Sequence, residues 1–374
     1  MQTVELLEGN PQEATHDDEI HTLQGIEMRK GVFTQQEILS QPEAWSDALN
    51  VLADIRPRLL DLVPVHHFDH ILFTGCGSTY FLALAAAALC QQLTGFPSRA
   101  FPASELWLNP RSSYVAGKHL LVALSRSGET TETLQACEAF LRDGRGAVLT
   151  LSCYPHTPLA KLGSLNIVLP SGQEQSVAQT RAFSTLYLAS VAIISLWAER
   201  YDLFNSLSQL PEVCRKLFQQ VAPLAAQVGR DASLDRFYWL GSGTRYGLAA
   251  ELSLKMKEMS LSHSEPFHFL EFRHGPKSMV TTSTLVIGLQ STPNQVPETA
   301  VLADVKALGG RVLAIAEADA TVCFASGLDE AVRDVLYLPV GQLIAYERSL
   351  AKGLNPDLPE NLDPVVKLQG GVQG

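Results

Sequence analysis

The chain has 374 residues, 46% of them apolar, and a formal net charge of −11. That length and composition suit two ordinary domains with a sizeable core, not a disordered or fibrous chain. The charge argues against nucleic acid or an anionic membrane surface as the main partner, yet leaves room for a small anion held by backbone N–H groups. The six cysteines (Cys76, Cys90, Cys137, Cys153, Cys214, Cys323) form no C-x-x-C pair. Such scatter is the pattern of a reducing compartment without disulfides or a thiolate metal cluster.

The opening stretch, MQTVELLEGNPQEATHDDEIH, lacks the basic and apolar segments of an export signal. The longest apolar run, residues 81–90, is too short to span a bilayer, so the cytoplasm is the expected location. After a lead-in over residues 1–33, Thr34 and Glu37 have capping-box spacing and predict a short helix. From there the chain alternates. DHILFTGCGST (69–79) reads as strand and turn, YFLALAAAALCQQL (80–93) as a buried helix and SRAFPASEL (98–106) as a short strand. KHLLVALSRSGE (118–129) is strand then loop, TETLQACEAFLRDG (131–144) an amphipathic helix and GAVLTLSC (146–153) another strand. Short apolar runs separated by helical patterns indicate βαβ units and a parallel sheet.

The pattern then repeats. FTGCGSTYFLALAAA (73–87) is echoed by WLGSGTRYGLAAELS (239–253), and residues 120–151 more loosely by 284–315. The period is far too long for a solenoid, so this is a domain duplication with a joint near residues 198–210. In the second copy SRSGETTET has become QSTPNQVPET, which loses the Ser-Gly-x-Thr core, and Pro293 and Pro297 interrupt the helix start. One ligand site per chain is therefore expected, in the first copy.

Gly75 to Thr79 (GCGST) hands the first strand over to its helix, and SRSGET does the same after a later strand. Glycines there let backbone approach a ligand, and a helix N-terminus offers unpaired N–H groups. In a parallel sheet both loops emerge at the C-terminal edge, where open α/β sheets bind ligands. Together they read as a phosphate cradle, although Ser127 and Thr130 could equally serve as helix caps. A dinucleotide fingerprint is not met, because GCGSTY lacks the third glycine and GSGTRYG is misspaced.

Five ordered motifs then carry a resemblance: CGST, SRSGETTET, EQSVAQTRAFST, KMKEMSLSHSEPFHFLEFRHGP and NPDLPENLDPVVKL. They resemble those of the sugar isomerase (SIS) family, most nearly the isomerase half of glutamine–fructose-6-phosphate amidotransferase. The fold this implies is α/β: two tandem SIS domains (34–200 and 201–345), each a flavodoxin-like five-stranded parallel sheet between helices, with a tail (346–374) closing the site. The resemblance implies that Ser125, Ser127 and Thr130, with Cys76, Gly77, Ser78 and Thr79, hold a sugar phosphate. Arg126 stands where the amidotransferase has an amide side chain, and Val177, Ala178 and Gln179 would line the sugar. Glu258 falls on the family's catalytic base. His274 falls on the histidine that assists ring opening, donated across a homodimer. No cofactor and no metal are implied. HHFDH (66–70) looks like a metal cluster but immediately precedes a strand, with no further ligand group in view.

The residue pattern bears on the catalytic assignment independently. On a helix through GLAAELSLKMKEMSLS, the residues Glu251, Lys255, Glu258 and Ser262 form one stripe. It is either a solvated Glu–Lys face or the wall of a polar pocket, with Glu251 and Lys255 supporting Glu258. A carboxylate beside C1 and C2 of an aldose phosphate can move a proton between them if desolvation raises its pKa.

Departures narrow the chemistry. Beginning Met1-Gln2-Thr3, the chain lacks the N-terminal cysteine of the glutaminase domain and is not expected to hydrolyse glutamine. Pro364 stands where the synthase has its Schiff-base lysine, and Arg181 replaces the lysine of its TKAF motif. What remains resembles the family's amino-sugar-phosphate deaminases, which convert glucosamine 6-phosphate to fructose 6-phosphate and ammonia. An aldose–ketose isomerase, a fructosamine-6-phosphate deglycase and a non-catalytic phosphosugar-binding regulator are the alternatives.

Overall fold

The computed structural model describes residues 29–367, so most of the lead-in and the reading of its opening stretch lie outside the described residues. The chain opens with α1 (Val32–Leu39) and α2 (Gln41–Leu62). The first α/β unit comprises β1 (His70–Gly75), α3 (Ser78–Thr94), β2 (Ser98–Pro102), α4 (Ala103–Leu108), α5 (Pro110–Ser113), β3 (His119–Leu124), α6 (Thr131–Arg142), β4 (Gly146–Ser152), β5 (Leu165–Val168) and α7 (Arg181–Trp197). After α8 (Tyr201–Ser206) and α9 (Leu210–Gly229) come β6 (Arg236–Leu240), α10 (Thr244–Ser260), β7 (His263–Phe267), β8 (Thr284–Leu289), α11 (Gln295–Ala307), β9 (Arg311–Ala316) and β10 (Val322–Cys323). The chain returns through α12 (Glu330–Arg333) and α13 (Tyr337–Ala351).

Each unit holds a five-stranded sheet, ordered β2-β1-β3-β4-β5 and β10-β9-β8-β6-β7, and every strand pair is parallel. Read from the other edge, the second order repeats the first, as a duplication requires. Central strands such as HLLVAL and TLVIGL are buried along their whole length because helices cover both faces of the sheet. The order places a topological switch between β1 and β3, and the loops after those two strands flank the resulting crevice.

One apolar core runs through both units, from Trp45 and Phe73 to Trp239 and Tyr337. The duplicated helices α3 and α10 pack directly on one another. At Gly247 the backbones approach so closely that a Cβ would lie 2.4 Å from the Phe81 carbonyl oxygen and 2.6 Å from the Ala85 nitrogen. The alanine run of α3 permits the same approach from its side. This contact carries the body of α10 to the N-terminus of α3.

Two local expectations are corrected. Thr34 is not an N-cap: α1 starts at Val32 behind Gly31, and Thr34 lies in its first turn. There its N–H and hydroxyl both donate to Asp357, each at 2.7 Å, while Glu37 turns inward to Gln175 and Ser176. Tertiary partners outweigh the local capping box. Ser262 is not on the α10 stripe, because the helix ends at Ser260 and Leu261 turns into the left-handed region at φ 47°. At the C-terminus α13 continues past residue 346, the expected start of the tail, to Ala351. No helix among the described residues is long and apolar enough to cross a membrane.

Candidate active site

The first wall of the site is the β1–α3 turn. Gly77, at φ 54° and ψ −122°, reverses the chain so that α3 begins with Ser78 at the crevice. The Thr79 hydroxyl accepts from the Cys76 N–H and donates to the Cys76 carbonyl, both at 2.9 Å, so it pegs the turn from behind. The second wall is the β3–α6 loop, which turns at Gly128 (φ 67°). Ser125 is buried and accepts from the Gly128 N–H at 3.0 Å, and Ser127 accepts from the Glu129 N–H at 3.2 Å. Thr130 then occupies the N-cap position of α6. In the first turn of α3 the N–H groups of Thr79 and Tyr80 donate back to the Cys76 and Gly77 carbonyls at 3.1 and 3.0 Å, and the positive dipole ends of α3 and α6 both face the crevice.

Between these walls lies a cavity of about 310 Å³, bounded by Cys76, Gly77, Ser78, Arg126, Thr130, Glu132, Val177, Gln179, Glu258 and the tail residues 362–366. Eight of the residues expected from the sequence thus meet in one place. Thr79, Ser125 and Ala178 lie behind the wall, and Ser127 faces a neighbouring cavity of about 370 Å³. His274 follows a 3₁₀ turn, is exposed, and does not reach the cavity of its own chain.

Arg126 lines the cavity, yet its guanidinium is committed elsewhere. It donates to the Glu174 carboxylate (3.3 Å), to the carbonyls of Ser176 (3.2 Å) and Val177 (3.0 Å), and to that of Pro364 (3.1 Å). One side chain thereby clamps the loop over 174–177 to the tail. Glu37 holds the same loop by accepting from the N–H groups of Gln175 and Ser176. Glu174 accepts from the N–H groups of Thr180 (2.8 Å) and Ala182 (3.0 Å), fixing the start of α7. Asp357 ties the tail to α1 and Lys367 ties it to Glu129.

Opposite the cradle stand Glu251, Lys255 and Glu258 on α10. The solvated-face reading fails here, since the side chains of Glu251 and Lys255 are 0% exposed. Lys255 donates to Ser78 Oγ at 3.1 Å, contacts Glu251 at 3.3 Å and donates to Glu258, whose carboxylate opens on the cavity. Burial, reinforced by Glu258, pushes the Glu251 carboxyl up to about 8 against the pull of Lys255. Burial alone would lower Lys255, but the two carboxylates outweigh it and hold the ammonium above its usual value. Burial also raises the Cys76 thiol, which stays protonated at neutral pH.

Two further features of the cavity wall matter, one at an expected residue, Gln179, and one at a residue the motifs did not single out, Glu132. Glu132 Oε2 and Gln179 Oε1 are buried at the cavity with no hydrogen-bond partner in the protein. Both are acceptors, so the wall they form calls for ligand hydroxyl or ammonium donors. Gln179 was expected to line the sugar, whereas Glu132, although within SRSGETTET, looked like an ordinary first-turn carboxylate. In HHFDH the rings of His66 and His67 meet edge-on and His70 Nε2 lies 3.1 Å from the Ala116 carbonyl. Among the described residues no three His, Cys, Asp or Glu side chains are grouped to hold a metal ion.

The SIS domain family pattern matches residues 66–196 and 232–326, which together are more than half of the chain. The chain belongs to the SIS domain family. It is 26% identical over 362 residues to a glutamine–fructose-6-phosphate aminotransferase (isomerizing) of Xanthomonas campestris, covering 90% of this chain and 59% of that protein. The corresponding protein of Chlamydia pneumoniae is 29% identical, with 91% and 59% covered. This SIS chain therefore spans about three fifths of the length of those relatives. Among solved structures, a glucosamine-6-phosphate deaminase of Thermotoga maritima superposes with a TM-score of 0.75 at 26% identity, covering 90% of this chain and 99% of that one. A tagatose-6-phosphate ketose/aldose isomerase of Escherichia coli shares the fold, with a TM-score of 0.78 at 24% identity and coverage of 91% and 97%. These likenesses mark a family member of the sugar-isomerase kind.

Proposed function

We propose that this SIS protein is an amino-sugar-phosphate deaminase that converts glucosamine 6-phosphate, or a close relative, with water to fructose 6-phosphate and ammonia. The observation that carries the reading is the shared cavity. Two helix N-termini and the hydroxyls of Ser78 and Thr130 stand at one wall, and the Lys255-held carboxylate of Glu258 stands at another. The phosphate is held by the dipole ends and hydroxyls, with Ser125, Ser127 and Thr79 fixing the loops that present them. Glu258 takes the proton from C2 of the open-chain sugar and returns it to C1, leaving an imine at C2. Water adds to C2 and ammonia leaves. The partnerless acceptors Glu132 Oε2 and Gln179 Oε1 suit a substrate that brings an ammonium and hydroxyls. Pro364, in the place of the synthase lysine, contributes a carbonyl to Arg126 and no amine, which favours release of ammonia over transfer. His274, exposed in its own chain, would open the sugar ring in the cavity of a second copy, making a homodimer the active unit. The reading includes no cofactor.

The test is a panel of hexosamine 6-phosphates assayed for ammonia and ketose phosphate together. Stoichiometric release of both from one of them supports the deaminase. Ketose without ammonia identifies an aldose–ketose isomerase. Turnover confined to glycated amine phosphates identifies a deglycase, and binding without turnover identifies a phosphosugar-binding regulator.

A further inference from the structure

The second sheet has a counterpart to each loop of the cradle. Gly243, at φ 59° and ψ −130°, reproduces the turn of Gly77 and starts α10 as Gly77 starts α3. After β8, Ser291 Oγ accepts from the Asn294 N–H at 3.1 Å, as Ser125 Oγ accepts from Gly128 in the first copy. The backbone of an anion site is therefore present twice. What differs is what fills it. The fourth residue of α6 is Leu134, whereas the fourth residue of α11 is Glu298. Glu298 is buried, and its carboxylate accepts from the Ser291 N–H at 2.7 Å and from the Ser291 hydroxyl at 3.4 Å. Glu330, from α12, accepts from the Thr292 N–H at 2.8 Å. Two cations and two further carboxylates complete the cluster, with the buried Asp334 at 3.5 Å from Arg245 and Glu317 at 3.5 Å from Arg333. Arg245 donates to Glu330 at 2.7 Å while its Nε stays buried without a partner, and Arg333 donates to the Thr292 hydroxyl at 2.6 Å and to Glu330 at 3.3 Å.

Backbone N–H groups, a serine hydroxyl and two buried guanidinium groups converging on carboxylate oxygens form the donor set that binds a phosphate monoester. We propose that the C-terminal edge of the second sheet is an anion site that the chain occupies with its own Glu298 and Glu330, and that removing those carboxylates opens it to phosphate. Burial pushes the Glu298 carboxyl up to about 7, so its charge is held in the second cradle at a cost.

The experiment counts inorganic phosphate bound per chain by calorimetry for the wild type and for E298A/E330A. The expected result is one additional phosphate per chain in the variant, abolished by adding R245Q. The readout is a difference between proteins, so it holds whether or not the first cradle binds phosphate. A wild type that binds none and a variant that binds one would refute the first-copy reading and support this one. A folded variant with unchanged stoichiometry overturns the proposal, as does a gained site that survives R245Q. If the double variant is too unstable for calorimetry, E298A alone is tested, with phosphate raising its melting temperature more than that of the wild type. Equal shifts in the two proteins overturn the proposal as well.

Discussion

Replacing Glu251 by glutamine tests the electrostatics of the site through stability alone. The carboxyl is fully buried, and its pKa moves from 4.5 unfolded to about 8 folded. Between those values the folded chain keeps a proton that the unfolded chain has released, so rising pH favours unfolding. The stabilisation from this group is complete below about pH 4.5 and gone above about pH 8. While it is being lost the slope approaches about 1.4 kcal/mol per pH unit, on the order of 5 kcal/mol over the whole window. Lys255 is shifted upward from 10.5 and contributes no slope there. E251Q preserves the shape and cannot ionise. Its unfolding midpoint in urea should therefore gain on the wild type steadily as pH rises from 5 to 8, then run parallel above that. Midpoints of the two proteins that stay parallel from pH 5 to 9 would show that Glu251 is not the protonated member of the cluster.

Three other substitutions probe the remaining parts. Glu258→Gln should lower turnover by about 10²–10⁴-fold, the usual contribution of a general base, while phosphosugar affinity changes little; retained turnover in steady-state assays would remove Glu258 from the chemistry. Arg126→Gln unclamps the loop over 174–177 from Pro364, so the expected kinetic signature is a raised KM with kcat nearly unchanged, accompanied by faster proteolysis of the tail. Gly247→Ala forces a methyl against the Phe81 carbonyl and should cost about 1–3 kcal/mol of stability in urea titrations. The same wedge would separate Lys255 from Ser78 and lower activity further.

The parts of the fold legible in the sequence are those whose burial is uniform. HILFTG, HLLVAL and GAVLTLS are covered on both faces and read as apolar runs. The edge strands β5 and β7 (LNIV and HSEPF) are short, and each buries only part of its length, so no apolar run announces them. The capping box at Thr34 misled because local spacing says nothing about Asp357, more than three hundred residues away. The same limit applies to the site. Gly77, Thr130 and Glu258 could be found from motif position, whereas the clamp made by Arg126 depends on four acceptors spread over 174–364.

The pairing of α3 with α10 explains why one functional site arises from two copies. Counting from the paired glycines Gly77 and Gly243, the residues of α3 that correspond to Glu251, Lys255 and Glu258 are Ala85, Leu89 and Gln92. Each helix presents its N-terminus to the later turns of the other, so the first cradle faces a lysine between two carboxylates. The second cradle's counterpart positions hold alanine, leucine and glutamine. On the proposed function the two copies divide the work: the first offers its donors to an anion, while the second supplies the proton carrier and fills its own donors with Glu298 and Glu330. This complementarity fixes the outcome of opening the second cradle. E298A/E330A should bind its extra phosphate with no gain in turnover per chain, because no carboxylate stands at position 92 to move a proton. Doubled turnover in that variant would show that the division is not set by these two helices.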